Sequence, residues 1–111
     1  MKQYSFNGED FKAVVQTKNW KIGLLRYSER FSKLSGFERH LLTDEAFVLL
    51  SGNATLYIKT GTEVKETSMR PNVVYNVEKE EWHHIVVDQN TTILVVENAD
   101  TSKENTEKIQ Y

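Results

Sequence analysis

The feature that most constrains this chain is its rhythm of short apolar runs. Val, Ile, Leu, Phe, Tyr and Thr recur in stretches of about five to eight residues, the usual length of a β-strand. Nine such stretches stand out, at residues 11–17, 19–27, 37–42, 45–50, 54–60, 63–68, 73–77, 82–87 and 92–97. Between them lie Ser51-Gly52-Asn53, Thr60-Gly61-Thr62, Arg70-Pro71-Asn72 and Asp88-Gln89-Asn90. Each is turn chemistry, because Gly and Asn tolerate positive φ and Pro presets the first turn dihedral. A helix over 41–50 with Thr43 as N-cap is an alternative for one segment. Phe47-Val48-Leu49-Leu50, closed by Ser51-Gly52, fits a strand buried on both faces equally well. Many short, evenly spaced strands predict an all-β sandwich or closed barrel, a form that also removes exposed apolar edges.

With 111 residues, the chain is the size of one domain and long enough to bury a core. The barrel is expected to occupy residues 1–98. The polar segment 99–111 is expected to be a tail, frayed or carrying a short helical turn near Thr101 or Ser102, and not a place for function. Lys and Arg number 14 against 16 Asp and Glu, so no electrostatic ground exists for nucleic-acid binding. The first ten residues are polar and the longest apolar runs are too short to span a bilayer. A cytoplasmic protein with no membrane association is therefore expected.

The chain has no cysteine, which excludes thiolate sites, thiol nucleophiles and disulfides. A transition-metal site would have to be built from imidazole and carboxylate. The only histidines are His40, His83 and His84. Period two puts Glu38 and His40 on one strand face, with Arg39 on the other. Glu45 is an odd number of positions beyond His40. The two can share an interior point only if a bend at Thr43-Asp44 ends one strand and begins the next. His83 and His84 face opposite ways, and His84 shares its face with Trp82 and Val86. The plain alternatives are a solvated Glu45, an exposed Glu38 paired with a nearby base, and a surface His84. Arg26, Arg39, Tyr27, Tyr57 and Tyr75 could line a pocket, although strand tyrosines more often pack in walls. Glu78, Glu80 and Glu81 read as a solvated loop.

The segment Glu38-Arg39-His40-Leu41-Leu42-Thr43-Asp44-Glu45, followed by six residues and then Gly52, resembles the first motif of the cupin superfamily. His40 matches its second His, Glu45 its Glu and Gly52 its closing Gly. Glu78-Lys79-Glu80-Glu81-Trp82-His83 resembles the second motif, with His83 at the ligand position. The sequence departs from the pattern at Glu38, where the family has its first His, and at Ser32, Glu78, Glu80 and Val87.

The resemblance implies a double-stranded β-helix, or jelly-roll barrel. It implies a divalent transition metal (Fe, Mn, Zn, Ni or Cu) held by His40, Glu45 and His83. Glu38 is then either a fourth ligand, an outer hydrogen-bonding group or a catalytic general base. Dioxygenase, isomerase or lyase chemistry on a small molecule is the expected activity. Non-catalytic binding of a sugar or small acid is the alternative, and a barrel with no metal a third. Alternation leaves Val48, Leu50 and Val86 facing away from the pocket, where apolar side chains want a cover. A homodimer is therefore expected, in keeping with how small cupins pair.

Overall fold

The structure, a computed structural model, describes all 111 residues. It has ten strands: β1 (Phe11–Gln16), β2 (Trp20–Arg26), β3 (Gly36–His40), β4 (Glu45–Ser51), β5 (Ala54–Thr60), β6 (Glu63–Ser68), β7 (Tyr75–Val77), β8 (Trp82–Val87), β9 (Thr92–Asn98) and β10 (Thr106–Gln110). The first nine answer the nine apolar runs, and β7 is shorter than expected. Positive φ occurs in each of the four turns, at Gly52, Gly61, Asn72 and Asn90. The helix alternative over 41–50 is not adopted.

The strands form two five-stranded antiparallel sheets. The first has the order β1-β2-β9-β4-β7 and the second β10-β3-β8-β5-β6. This is the expected all-β jelly roll. Alternation decides what fills the space between the sheets. Phe47 and Leu49 from β4, Ile93 and Val95 from β9, and Leu25 from β2 meet Ala54 and Leu56 from β5 and Ile85 and Val87 from β8. Burying each of these side chains other than that of Ala54 is worth roughly 1.5–3 kcal/mol, so this layer supplies most of the drive to fold. At one end of the sandwich the inward register continues into polar residues. There the core gives way to His40, Glu45, His83 and Glu97, all buried.

Two local devices set the register. The pairing of β4 with β9 slips between Leu49 and Ser51, which leaves Leu50 outside the ladder and 52% exposed. Gly52 follows at φ +90°, where an added Cβ would lie 2.3 Å from Thr91 Oγ1 and 2.6 Å from its Cα. Only glycine closes that turn without strain.

Segment 99–111 has the expected short turn near Ser102 but does not end as a tail. Ser102 caps a single 3-10 turn, Lys103–Asn105, in a reciprocal capping box with Asn105. The chain then forms β10, paired in register with β3 from Thr106↔His40 to Gln110↔Gly36. Beyond it, Tyr111 packs edge-on against Phe37, with ring centroids 5.3 Å apart. Backbone hydrogen bonding to an open sheet edge outweighs the polar composition of this segment.

Candidate metal centre

The histidines and acids reach one point by separate routes. His40 ends β3 in the second sheet, and Glu45 begins β4 in the first. The link between them crosses from sheet to sheet, which resets the strand parity. The two residues therefore face each other across the barrel and are not neighbours on adjacent strands. Thr43 fixes the crossing: its hydroxyl accepts from the Asn98 amide at 3.0 Å and donates to the Asp44 carbonyl. On β8, His83 faces inward and is 2% exposed. It stands directly across from Glu38 on β3.

A nitrogen or carboxylate oxygen from each of Glu38, His40, Glu45 and His83 lies within 4.8 Å of the other three. The core of the group is tighter. His40 Nε2 is 3.0 Å and His83 Nε2 2.9 Å from the same oxygen, Glu45 Oε1. Glu38 Oε1 is 3.8 Å from His40 Nε2, and its side chain is about a third exposed, at the rim. The outward ring nitrogens are tethered as well. His83 Nδ1 donates to the Glu81 carbonyl at 3.1 Å, and His40 Nδ1 is 2.9 Å from the Thr106 hydroxyl. Such outer partners fix the ring angle and the tautomer of imidazoles that bind metals.

The charges explain the strength of the cluster. Burial alone would raise the Glu45 pKa, but hydrogen bonds to His40 and His83 outweigh it and hold the carboxyl at about 2. Burial alone would lower both histidines. Their hydrogen bonds and attraction to Glu45 reverse this, so both end above the ordinary imidazole value. The point between them is thus built for positive charge, supplied by protons or by a cation.

Two contributors were not picked out from the sequence. Glu97 stands directly across β9 from Glu45. Burial, then repulsion by Glu45, pushes its carboxyl up to about 7. Lys21 Nζ lies 3.8 Å from Glu97 Oε1, while Oε2 is buried without a hydrogen-bond partner. Its signal was available: Ile93, Val95 and Glu97 alternate on one face, so the acid shares the register of the core. Thr106 comes from the segment expected to be without function, and nothing in its sequence context marks it.

The other candidates sit elsewhere. His84 is on the outer face of β8, bonded through Nε2 to the Lys33 carbonyl. Arg39 stacks over Trp82 at 4.5 Å and pairs with Glu107, also outside. Arg26 binds the Thr92 hydroxyl and the Gly8 carbonyl. Tyr27 and Tyr75 pack against the core. A cavity of about 110 Å³ opens beside the cluster, with Phe31, Phe47, Ile85 and Val95 as apolar walls.

No family model matches the chain, and no curated protein does. Solved structures do. The 3,4-ketoisomerase QdtA from Thermoanaerobacterium thermosaccharolyticum superposes with a TM-score of 0.66 at 15% identity, over 78% of this chain and 63% of that one. The chain therefore spans less than two thirds of that enzyme's length. KdgF from Halomonas sp. gives 0.65 at 12% identity, over 87% and 85% of the two chains. A cupin-2 domain protein from Shewanella frigidimarina gives 0.64 at 15%, over 82% of each. The chain has the fold of a small cupin.

Proposed function

We propose that His40, Glu45 and His83 hold a divalent transition metal, and that the chain is a metal-dependent enzyme acting on a small molecule. The observation that carries this is the meeting of two Nε2 atoms on one ionised oxygen. His83 Nδ1 gives its hydrogen to a carbonyl, so a neutral His83 turns a lone pair toward Glu45 Oε1 at 2.9 Å. Such a pair needs a positive charge between its atoms, which a proton on Nε2 or a cation shared among the three groups would supply. Two imidazoles and a carboxylate suit Fe(II), Mn, Ni or Zn, and leave positions open. What such an ion supplies is Lewis acidity toward a substrate oxygen.

The protein's own groups do the rest. Thr106 and the Glu81 carbonyl hold the rings in place. Phe31 and Phe47 exclude water from the inner side. Glu38, at the rim and near His40, is placed to take a proton from the substrate as general base. Isomerase or lyase chemistry needs that step, and QdtA, similar in fold, is an isomerase by name. Non-catalytic binding of a sugar or small acid is the second reading. It is favoured by a carboxylate, Glu38, standing where the resembled motif has an imidazole.

Elemental analysis of untagged protein tests the centre. About one equivalent of metal is expected, lost in both His40→Ala and His83→Ala; metal retained in both variants overturns the assignment. Turnover separates the two readings: a loaded protein that binds a screened ligand and never converts it is a binder. We further propose that the chain pairs with a second copy through the outer face of its first sheet. There Ile22, Leu24, Val48, Leu94 and Val96 are only partly covered.

A further inference from the structure

The entrance to the site carries a charge pattern at odds with the chain as a whole. The net charge is -2, yet three cations, Arg30, Lys103 and Lys108, surround the opening above Glu38 and His40. They line one open cleft of about 660 Å³, within the range of sites that take a small molecule. Arg30 and Glu38 line this cleft, the inner cavity and a third, flanking cleft, so they form the threshold of the site.

Each cation is presented by a different device. Lys108 is the cross-strand partner of Glu38, and Thr106 that of His40. Direct partners project to the same face, so Lys108 stands on the inward side of β10. Lys103 lies in the 3-10 turn just before that strand. Arg30 is held from two sides: its Nε donates to Asp10 Oδ1 at 2.7 Å, and its guanidinium carbon sits 4.4 Å from the Phe31 ring centroid. That anchoring leaves its two terminal amino groups free. Neither lysine forms an ion pair, whereas Lys21, Arg30 and Arg39 all do.

Building on the reading of His40, Glu45 and His83 as a metal centre, we propose that the substrate is a small organic anion. Its carboxylate or phosphate group is held at the mouth by Arg30, Lys103 and Lys108. The spacing orients it. Thr106 and Lys108 are two residues apart, about 7 Å along a strand. A compact molecule anchored at Lys108 therefore reaches its reacting atom to Glu38 and His40. The cations also offset the repulsion that Glu38 and Glu45 exert on an incoming anion. A guanidinium pinned by Asp10 and Phe31 loses little freedom when it forks onto an oxyanion.

The test is an NMR titration of metal-loaded protein with malonate, with inorganic phosphate and with neutral malonamide. Saturable shifts at the Lys103 and Lys108 amides and the Arg30 Nε–H are expected for one or both anions, and none for malonamide. The stronger of the two anions tells carboxylate from phosphate. The double variant Lys103→Gln/Lys108→Gln should weaken that binding about tenfold or more and leave metal content unchanged. Absence of saturation by either anion, equal shifts from malonamide, or unweakened binding in the double variant overturns the proposal. Metal content in the same samples separates the two layers. Anion binding without metal supports the mouth and sinks the centre; metal without anion binding sinks the mouth alone.

Discussion

Glu97 is the residue whose protonation should be felt most plainly in solution. With its carboxyl pushed to about 7 by burial and by Glu45, ionising it in the folded state is unfavourable. Protein stripped of metal should lose stability as pH rises from about 4.5, the ordinary Glu value, through 7. The two raised histidines add to this limb. Their contribution is complete below about 6.5 and disappears as pH climbs through their folded values. Glu45 acts at the other end: its contribution is present above about 4.5 and lost as pH falls toward 2. Thermal melts in chelator should therefore peak at about pH 4.5, decline above it and fall more steeply past about pH 6.5. Glu97→Gln should flatten the upper limb and gain about 2 kcal/mol at pH 8, and an unchanged limb would contradict the assignment. Thr106→Val removes the tether on His40 and should weaken metal affinity about tenfold or more, with Thr106→Ser restoring it. Far-UV dichroism should be unchanged in both Thr106 variants.

At the scale of elements, the closing turn of β4 and the strand β10 make separate predictions. Gly52→Ala meets both a positive φ and the Thr91 backbone, and should destabilise by more than about 2 kcal/mol in denaturant titrations. Tyr111→Ala removes the edge-on partner of Phe37 and should cost about 1 kcal/mol. Hydrogen exchange should then quicken along β3. These elements also show what was legible in the sequence. Nine strands could be read because their side chains alternate between a wet and a dry face, and four turns because Gly, Asn and Pro punctuate them. β10 could not, because Thr106 to Gln110 offers one apolar side chain, Ile109, and even that is exposed. Its order comes from main-chain pairing, which leaves no compositional trace. The meeting of His40 with Glu45 was legible as a bend. That the bend exchanges one sheet for the other was not, since local spacing does not reveal which strands pair at long range.

For the molecule as a whole, the outer face of the first sheet is the surface that solution work should interrogate. If a second copy covers it, sedimentation at micromolar concentration gives a dimer, and Val48→Glu gives a monomer that keeps its metal. A wild-type monomer would refute the pairing. The order of strands has a kinetic consequence too. In the first sheet β2 lies beside β9, joining residues such as Gly23 and Val95 that are far apart along the chain. Closing loops of that length precedes any reward from the contacts, so refolding should be slow, on the order of milliseconds to seconds. The proposed donors, drawn from the third, fourth and eighth strands, gather only once both sheets exist. No proteolytic fragment lacking one of them should chelate, and dissolved metal should raise the melting temperature by mass action on the finished barrel alone.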